Sequence, residues 1–290
     1  MSVALRDLLS LPLEEQLEPL TRVANGFADA IARGEQPSEA DRSAVTAALV
    51  SLVEAGVGDG RVRLELGEAL GRLGDPRLRL PGDPDYWVAV QLEGYTLRVG
   101  RFLVTNWEWQ RWVDEGGYAR DENWTAAGLS WRDGGSDRWS DLMKSGSLSR
   151  FLVPNQPVVG VNWYEAMAYA RSFGARLPER VERGEITRGQ EKRPYPWGEP
   201  FGSGNANTRE EVLGRSCAVG LFRADVTPEG VWDLAGNAAE WALDEVGDKR
   251  VIHPGSWKQP SMASWVKALA LLAPEGRAPD LGFRLVSEAT

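Results

Sequence analysis

The sequence predicts an α+β fold with short strands and long loops, preceded by a small helical segment. Apolar residues recur at helical spacing through roughly the first quarter of the chain, whereas strand-like alternation is confined to short stretches after it. The 290 residues also include 13 Trp and 32 Gly. Because large aromatic side chains can hold irregular backbone in place, this composition is typical of a loop-rich domain.

The charge and hydropathy of the chain exclude several classes of protein. Its 42 acidic and 33 basic side chains give a net charge of −9, which disfavours binding to a phosphate backbone. No apolar run is long enough to span a membrane, and the N-terminus lacks the basic and then apolar pattern of a secretion signal. We therefore expect a cytoplasmic protein that binds neither nucleic acid nor membranes.

Cys217 and His253 are the single residues of their types. One cysteine excludes an intrachain disulfide, a redox pair and a cysteine zinc cluster within this chain. One histidine excludes a His-rich iron or zinc site. Cys217 is expected to be a small buried hydrophobic residue, and His253 a surface or hydrogen-bonded structural residue rather than a catalytic one.

Residues 1–80 are expected to form a helical N-terminal segment. An apolar stripe at helical spacing covers residues 5–31, Ser38 provides an N-cap for a second helix, and a third helix is predicted over residues 62–73. The Pro-, Gly- and Asp-rich stretch at residues 74–84 is predicted to be a linker.

Residues 81–290 are expected to form the second domain. Residues 86–92 and 95–104 alternate like strands on either side of Glu93-Gly94, which predicts a hairpin. The remaining predicted elements, in chain order, are a helix capped by Thr105, loops over residues 116–156, a strand at residues 157–161, helices beginning at Asn162 and after Pro178, and a final strand near residues 282–286.

Short motifs follow one another through residues 104–285. They are VTN at 104–106, QPVVGVNW at 156–163, ARLP at 175–178, YPWG at 195–198, GVWDLAGN at 230–237 with EW at 240–241, GSW at 255–257 and LGFRL at 281–285. One tripeptide would be a weak signal, but the ordered series is specific. It resembles the formylglycine-generating enzyme (sulfatase-modifying factor) family, a branch of the C-type lectin fold. The resemblance implies a C-type-lectin-like domain.

The residues that carry the redox chemistry of this family are missing from the chain. The oxidase branch binds copper(I) through two cysteines, and the matching positions here hold Gln259 and Ser264. Since soft thiolates select Cu(I), these residues are poor substitutes. The sulfoxide-synthase branch uses a three-histidine iron site, which a single histidine cannot supply. We therefore expect neither copper nor iron, and a protein that is not an enzyme.

The resemblance also implies a structural calcium site. Its ligands would be the side chains of Asp233 and Glu240 and the backbone carbonyls of Gly236 and Ala238. Oxygen ligands gathered in one tight turn suit Ca²⁺. The alternative is that Asn237 and Glu240 hold the loop through hydrogen bonds without a metal.

Residues 258–273, here called the 258–273 segment, depart from the family pattern between matching flanks. In family enzymes this surface binds the peptide substrate, and in variable proteins of diversity-generating retroelements it carries the diversified residues. We therefore interpret the chain as a non-catalytic ligand-binding protein, most similar to such a variable protein, with an unidentified protein or peptide partner. The predicted ligand-binding residues are Lys258, Gln259, Ser261, Met262, Ser264, Trp265, Lys267, Leu269, Leu271 and Leu272.

Two alternatives stay open. The apolar residues of the 258–273 segment are also compatible with a buried strand or helical turn. The alternative function is a formylglycine-generating-enzyme-like oxidoreductase, or another family enzyme with an atypical site. Trp257, as part of the Gly-Ser-Trp motif, is expected to be largely buried.

Overall fold

The computed structural model describes residues 2–134, 139 and 150–288. Part of the predicted loop region, at residues 135–138 and 140–149, lies outside the described residues and stays a prediction.

The N-terminal part of the chain is helical, as predicted. Its helices are α1 (Val3–Leu9), α2 (Leu13–Ala32), α3 (Glu39–Ala55) and α4 (Gly60–Leu73). The predicted stripe over residues 5–31 is divided between α1 and α2, because Pro12 takes an extended conformation at the start of α2. Ser38 caps α3 as expected, its side chain accepting a hydrogen bond from the Asp41 amide. None of the helices in the described part of the chain is long and apolar enough to cross a lipid bilayer.

The helical segment shares its hydrophobic core with the rest of the protein. Leu20, Leu49 and Leu70 are fully buried, and Cys217 and Phe222 from a distant loop belong to the same cluster. The burial of Cys217 is therefore as predicted. The division of the chain at residues 80 and 81 stays a prediction, since the two parts are packed together.

The second part of the chain combines short helices with two small sheets. Its helices are α5 (Asn106–Asp114), α6 (Ala126–Asp133), α7 (Trp163–Ser172) and α8 (Arg180–Arg188), and its strands are β1 (Trp87–Gln91), β2 (Thr96–Gly100), β3 (Ala239–Val246), β4 (Lys249–His253), β5 (Ala270–Leu272), β6 (Leu281–Gly282) and β7 (Val286–Glu288). The described strands form one sheet in the order β1-β2-β7 and another in the order β5-β4-β3-β6. The predicted hairpin is confirmed by antiparallel pairing of β1 with β2.

Two predicted features of this part were wrong. Residues 157–161 do not form a strand: Pro157 makes a single bridge to Thr105, and Gly160 then turns the backbone at a φ of 76°. Within the predicted loop region the chain forms α6, whose first turn is capped by Thr125. The remaining helix starts at Thr105 and Asn162 are confirmed, since both residues form capping boxes.

Trp109 of α5 lies at the centre of the aromatic core. Its side chain is fully buried, and its ring contacts those of Trp112, Tyr118, Tyr169 and Phe283, with centroid separations of 5.0, 6.1, 5.7 and 6.0 Å. These partners come from three separate regions of the chain. The aromatic core therefore joins α5 and α7 to the C-terminal strand region.

We expect the Trp109→Ala variant to lose about 3–5 kcal/mol of unfolding free energy, because it opens a cavity where these regions meet. Urea denaturation followed by circular dichroism measures the loss. Trp107→Ala, on the same helix but only partly buried, is the control and should lose clearly less. Equal losses in the two variants would contradict the central role of Trp109.

Candidate functional site

The 258–273 segment follows a fixed path over the surface. The Gln259 carbonyl accepts a hydrogen bond from the Arg209 amide (3.0 Å), and the Ser261 amide donates to the Glu210 carboxylate (3.0 Å). After the short 3-10 helix Ser261–Ser264, the Val266 amide donates to the Pro194 carbonyl (3.2 Å). The segment then ends in β5, which pairs with β4. Backbone contacts thus position the segment largely without using its outward side chains.

Most of the predicted ligand-binding residues lie together on this surface. The exposed residues are Lys258, Met262, Trp265, Lys267, Leu269 and Leu271, and the half-buried ones are Gln259, Ser261 and Leu272. Met262 is 74% exposed, Trp265 46%, Leu269 42% and Leu271 45%. We call these four side chains the patch, and exposed large apolar residues concentrated in one segment are typical of a binding surface. The alternative of a buried strand therefore does not apply to these four residues.

Ser264 is the exception and is a correction to the predicted surface. Its side chain is buried, because the 3-10 helix turns it inward, and its hydroxyl has no hydrogen-bond partner among the described residues. Trp257 is partly buried and packs against the aromatic core, with its ring 5.7 Å from that of Phe151 between centroids.

A small cavity lies directly beneath the segment. Its lining includes Ser264, Trp265, His253 and Arg183. The His253 Nε2 atom is buried and, like the Ser264 hydroxyl, has no partner among the residues the structure describes. Burial, reinforced by the Arg183 charge, lowers the pKa of His253 to about 3. The imidazole is therefore neutral near pH 7, and it is buried rather than on the surface.

A buried ion network lies next to this cavity and is centred on Glu240. One carboxylate oxygen of Glu240 accepts from Arg183 (2.6 Å), and the other accepts from the Arg284 Nε atom (2.7 Å). Arg183 also donates to the Leu234 carbonyl (2.6 Å) and Arg284 to the Trp232 carbonyl (2.8 Å). Despite burial, the two arginines lower the pKa of Glu240 to about 2. Glu240 thus joins α8, the turn before β3 and the C-terminal motif.

The four residues predicted to bind calcium do not fit that ion in this arrangement. Both oxygens of Glu240 are taken by arginines, and the Gly236 carbonyl accepts from the Ala238 amide (2.9 Å). One carboxylate oxygen of Asp233 accepts a hydrogen bond from the Gly220 amide (2.8 Å). The guanidinium groups of Arg183 and Arg284 already neutralise the negative charge of Glu240 that would otherwise attract a cation. No group of three or more His, Cys, Asp or Glu side chains suited to a metal ion occurs in the described ranges.

The structure instead supports the alternative, in which hydrogen bonds hold this loop. The Asn237 side chain accepts from the Cys217 amide (2.9 Å) and donates to the Cys217 carbonyl (3.2 Å). A Cβ atom at Gly236 would lie 2.7 Å from the Asn207 carbonyl oxygen, which requires glycine there. Asn237 therefore fastens the loop to the core, and Glu240 fastens it to the two arginines.

Two buried aspartates lie beside the network. Asp225 accepts hydrogen bonds from the Leu234 and Ala235 amides, both at 2.9 Å. Burial, with the nearby Asp233 charge, raises the pKa of Asp225 to about 7. Burial likewise raises the pKa of Asp233 to about 6. Two buried carboxyl groups whose charges repel each other favour a proton on at least one of them.

The positions that match the copper ligands of the family hold no thiol. Gln259 is fixed through its backbone to Arg209, and Ser264 faces the cavity. The one thiol, Cys217, is fully buried with its Sγ atom 3.4 Å from the Asn237 side-chain oxygen, and burial raises its pKa far above the ordinary value. These residues do not fit a copper(I) site.

Residues 60–289 match the sulfatase-modifying factor enzyme 1-like domain. The chain belongs to this family. Its α+β fold is of the C-type-lectin-like kind that the sequence predicted.

Curated relatives include the hercynine oxygenase of Mycobacterium tuberculosis, 30% identical over 207 residues that cover 58% of this chain and 48% of the relative. The formylglycine-generating enzyme of Streptomyces coelicolor is 29% identical over 171 residues, covering 47% and 54%. The chain thus spans about half the length of these relatives. A similar solved structure is Treponema denticola variable protein 1, with a TM-score of 0.48, 17% identity and coverage of 67% of this chain and 85% of that one.

These relatives correct the expectation that the chain is not an enzyme. The missing copper and iron ligands suggested that expectation, but the similar curated proteins include hercynine oxygenases and a formylglycine-generating enzyme, alongside two that are named as inactive formylglycine-generating enzymes. The missing ligands exclude two particular sites in this chain and do not exclude chemistry by other residues.

Sequence reasoning missed Arg183 and Asp225, and it did not place Asp233 beside a second aspartate. Arg183 lies inside α8 and carries no motif of its own, so only the fold shows that it reaches Glu240. The signal available for Asp225 was weak, since an isolated Asp in a loop usually indicates a turn. Arg284 belongs to the LGFRL motif, but the sequence does not show that it pairs with Glu240.

The aspartate pair predicts a fall in stability as the pH rises from about 4 to 7. In this range an unfolded aspartate has lost its proton, whereas folded Asp225 retains it, so the folded state binds more protons. Glu240 has the opposite sign, since its stabilising contribution is lost as the pH falls from about 4.5 to 2.

Between pH 4.5 and 7.5, the free energy of unfolding should fall by at least about 1 kcal/mol less in Asp225→Asn than in the parent, because the amide cannot ionise. Urea denaturation at several pH values measures it. Asp248→Asn, in the exposed turn between β3 and β4, is the control and should keep the parent slope. A parent-like slope in Asp225→Asn would count against the assignment.

Proposed function

We propose that the protein binds a protein or peptide ligand through the surface of the 258–273 segment. The observation that carries the proposal is the group of exposed Met262, Trp265, Leu269 and Leu271 on a backbone fixed by contacts outside the segment. Such side chains can gain contact area on binding without first ordering the chain. Trp265 is the expected anchor, since tryptophan is enriched among residues that dominate interface energy.

The finer proposal is that the protein is a variable protein of a diversity-generating retroelement. Its support is the position of the unusual residues, which end seven residues before the LGFRL motif and lie between flanks that match the family. The outward side chains make few contacts that the fold requires, so the scaffold tolerates their replacement. A template copy of this segment beside a reverse-transcriptase gene would support this origin, and its absence from the complete genome would contradict it.

Replacing the patch should remove binding and preserve folding. A peptide library displayed on phage is selected against the parent protein, and the selected peptides are then measured by calorimetry. We expect Trp265→Ser to weaken their binding at least tenfold, and Leu269→Ser and Leu271→Ser to weaken it less. Each variant should change the unfolding free energy by less than about 1 kcal/mol, since more than two-fifths of each of these residues is exposed.

Leu13→Ser is the matched control, because Leu13 is 41% exposed on the N-terminal helix α2 and lies outside the patch. Its binding should equal that of the parent. The proposal fails if the selected peptides bind the Trp265, Leu269 and Leu271 variants as well as the parent. It also fails if all three variants lose several kcal/mol, since the segment would then be core.

A further inference from the structure

The short 3-10 helix Ser261–Ser264 decides which side chains of the 258–273 segment face outward. Met262, inside this helix, is 74% exposed, whereas Ser264, two residues later, is buried. Trp265 follows at the end of the helix, and its amide donates to the Met262 carbonyl (3.4 Å). The orientation of Met262 and Trp265 therefore depends on whether this helix stays formed.

The helix receives no cap from its own segment. The first amide groups of a helix have no carbonyl partner within it, and they need another acceptor. Pro260 precedes the helix and provides no side-chain hydrogen bond. The acceptor is instead Glu210, which lies 51 residues away in the chain, and whose two carboxylate oxygens are 3.0 and 3.1 Å from the Ser261 amide nitrogen.

Glu210 lies on a loop that the core holds in place. The preceding residues Asn207 and Thr208 are each only 1% exposed. The Asn207 carbonyl accepts from the Asn237 amide (2.8 Å), and the Asn207 side chain donates to the Arg215 carbonyl (3.1 Å). The carboxylate of Glu210 is thus presented to the helix from a backbone that is fixed independently of the 258–273 segment.

The Glu210 side chain is exposed, so burial does not require this contact. Partial desolvation opposes ionisation, but the hydrogen bond from the Ser261 amide outweighs it and the pKa of Glu210 is lowered. The group is therefore a carboxylate near neutral pH, and hydrogen bonds to a charged acceptor are stronger than those between neutral groups. Since the side chain is exposed, its removal leaves no buried charge without a partner.

We propose that Glu210 is a positioning residue of the ligand surface, whose carboxylate holds the first amide of the 3-10 helix and thereby keeps Met262 and Trp265 in the orientation that binds ligand. This inference rests on the proposed function for the location of the site. It adds a residue outside the 258–273 segment on which that site depends.

The expected effect on affinity follows from the population of the binding conformation. A protein that is in its binding conformation for only a fraction of the time has an affinity reduced by that fraction. Without the carboxylate the helix opens more often, and Trp265 leaves its position. The hydrogen bond from the Arg209 amide to the Gln259 carbonyl (3.0 Å) uses backbone atoms only, so a change of the Glu210 side chain leaves it in place.

The first measurement needs no ligand and uses amide hydrogen exchange of the full chain, followed by mass spectrometry. In Glu210→Ala, residues 259–266 should exchange faster than in the parent, whereas β3 should exchange at the parent rate. Glu210→Gln keeps one oxygen that can accept, and should restore part of the protection. Glu211→Ala is the matched control, because the Glu211 carboxylate accepts from the Gly204 amide (2.6 Å) instead. It should leave the exchange of residues 259–266 unchanged.

The second measurement is calorimetry with the library-selected peptides that bind through Trp265. Glu210→Ala should weaken their binding at least about tenfold, as it would if the binding conformation fell to a tenth of its population. Glu210→Gln should weaken it less, and Glu211→Ala should bind like the parent. Melting temperatures should stay within a few degrees. If Glu210→Ala melts much earlier than that, the comparison of Glu210→Gln with the parent decides instead.

A double variant tests whether Glu210 acts through Trp265. Residues that act through one another have effects that do not add. Adding Glu210→Ala to Trp265→Ser should therefore weaken binding clearly less than adding it to the parent. Equal losses in the two backgrounds would mean that Glu210 contacts the ligand by itself, and would overturn the positioning role.

The outcomes separate this inference from the proposed function. If Trp265→Ser weakens binding but Glu210→Ala does not, the ligand surface survives and the positioning role falls, even where exchange is faster. Unchanged exchange of residues 259–266 in Glu210→Ala also overturns it. If Trp265→Ser itself has no effect on binding, the ligand surface falls, and the role of Glu210 falls with it.

Discussion

The pairing of Glu240 with Arg183 and Arg284 is the interaction on which the second part of the structure depends. Glu240 accepts from both arginines while each arginine holds a backbone carbonyl in the turn before β3. A carboxylate and two guanidinium groups, all buried, would be costly in any incomplete arrangement. The free-energy cost of burying these charges is offset because each charge has a partner of opposite sign and each arginine also donates to backbone carbonyls. This requirement fixes α8, β3 and the C-terminal motif relative to one another, in a region with little regular secondary structure.

Because the ion network fixes the core beneath it, the surface formed by the 258–273 segment can depart from the family pattern without changing the fold. The 258–273 segment lies between β4, whose neighbour β3 contains Glu240, and the motif that contains Arg284. Its ends are therefore fixed by the core, and its middle is held through backbone atoms by Arg209, Glu210 and Pro194. Side chains that point outward from such a segment are under few packing demands. Residues at these positions can serve binding, since loops on a rigid scaffold can change without unfolding it.

The sequence predicted most helices and the hairpin because these depend on local signals. The Thr105 and Asn162 capping boxes and the Ser38 N-cap act within a few residues, so their patterns are visible in one chain. The failures depend on distant contacts. The sequence of residues 157–161 is typical of a strand, but in the structure these residues form a single β-bridge, from Pro157 to Thr105. Ser264 looks like its exposed neighbours, yet the 3-10 helix turns it inward. The assignment of Glu240 to calcium failed because it required knowledge of Arg183, which is 57 residues away in the chain.

The cavity beneath the 258–273 segment contains two buried polar atoms, the Ser264 hydroxyl and His253 Nε2, that have no hydrogen-bond partner among the described residues. A buried hydroxyl and a buried imidazole nitrogen without partners are each expected to cost free energy, roughly 1–3 kcal/mol for a polar group. The cavity has a volume of about 10 Å³, which is room for one water molecule and not for a ligand group. A water molecule that hydrogen-bonds to both atoms would remove this cost, so the polar lining is compatible with a purely structural role beneath the binding surface.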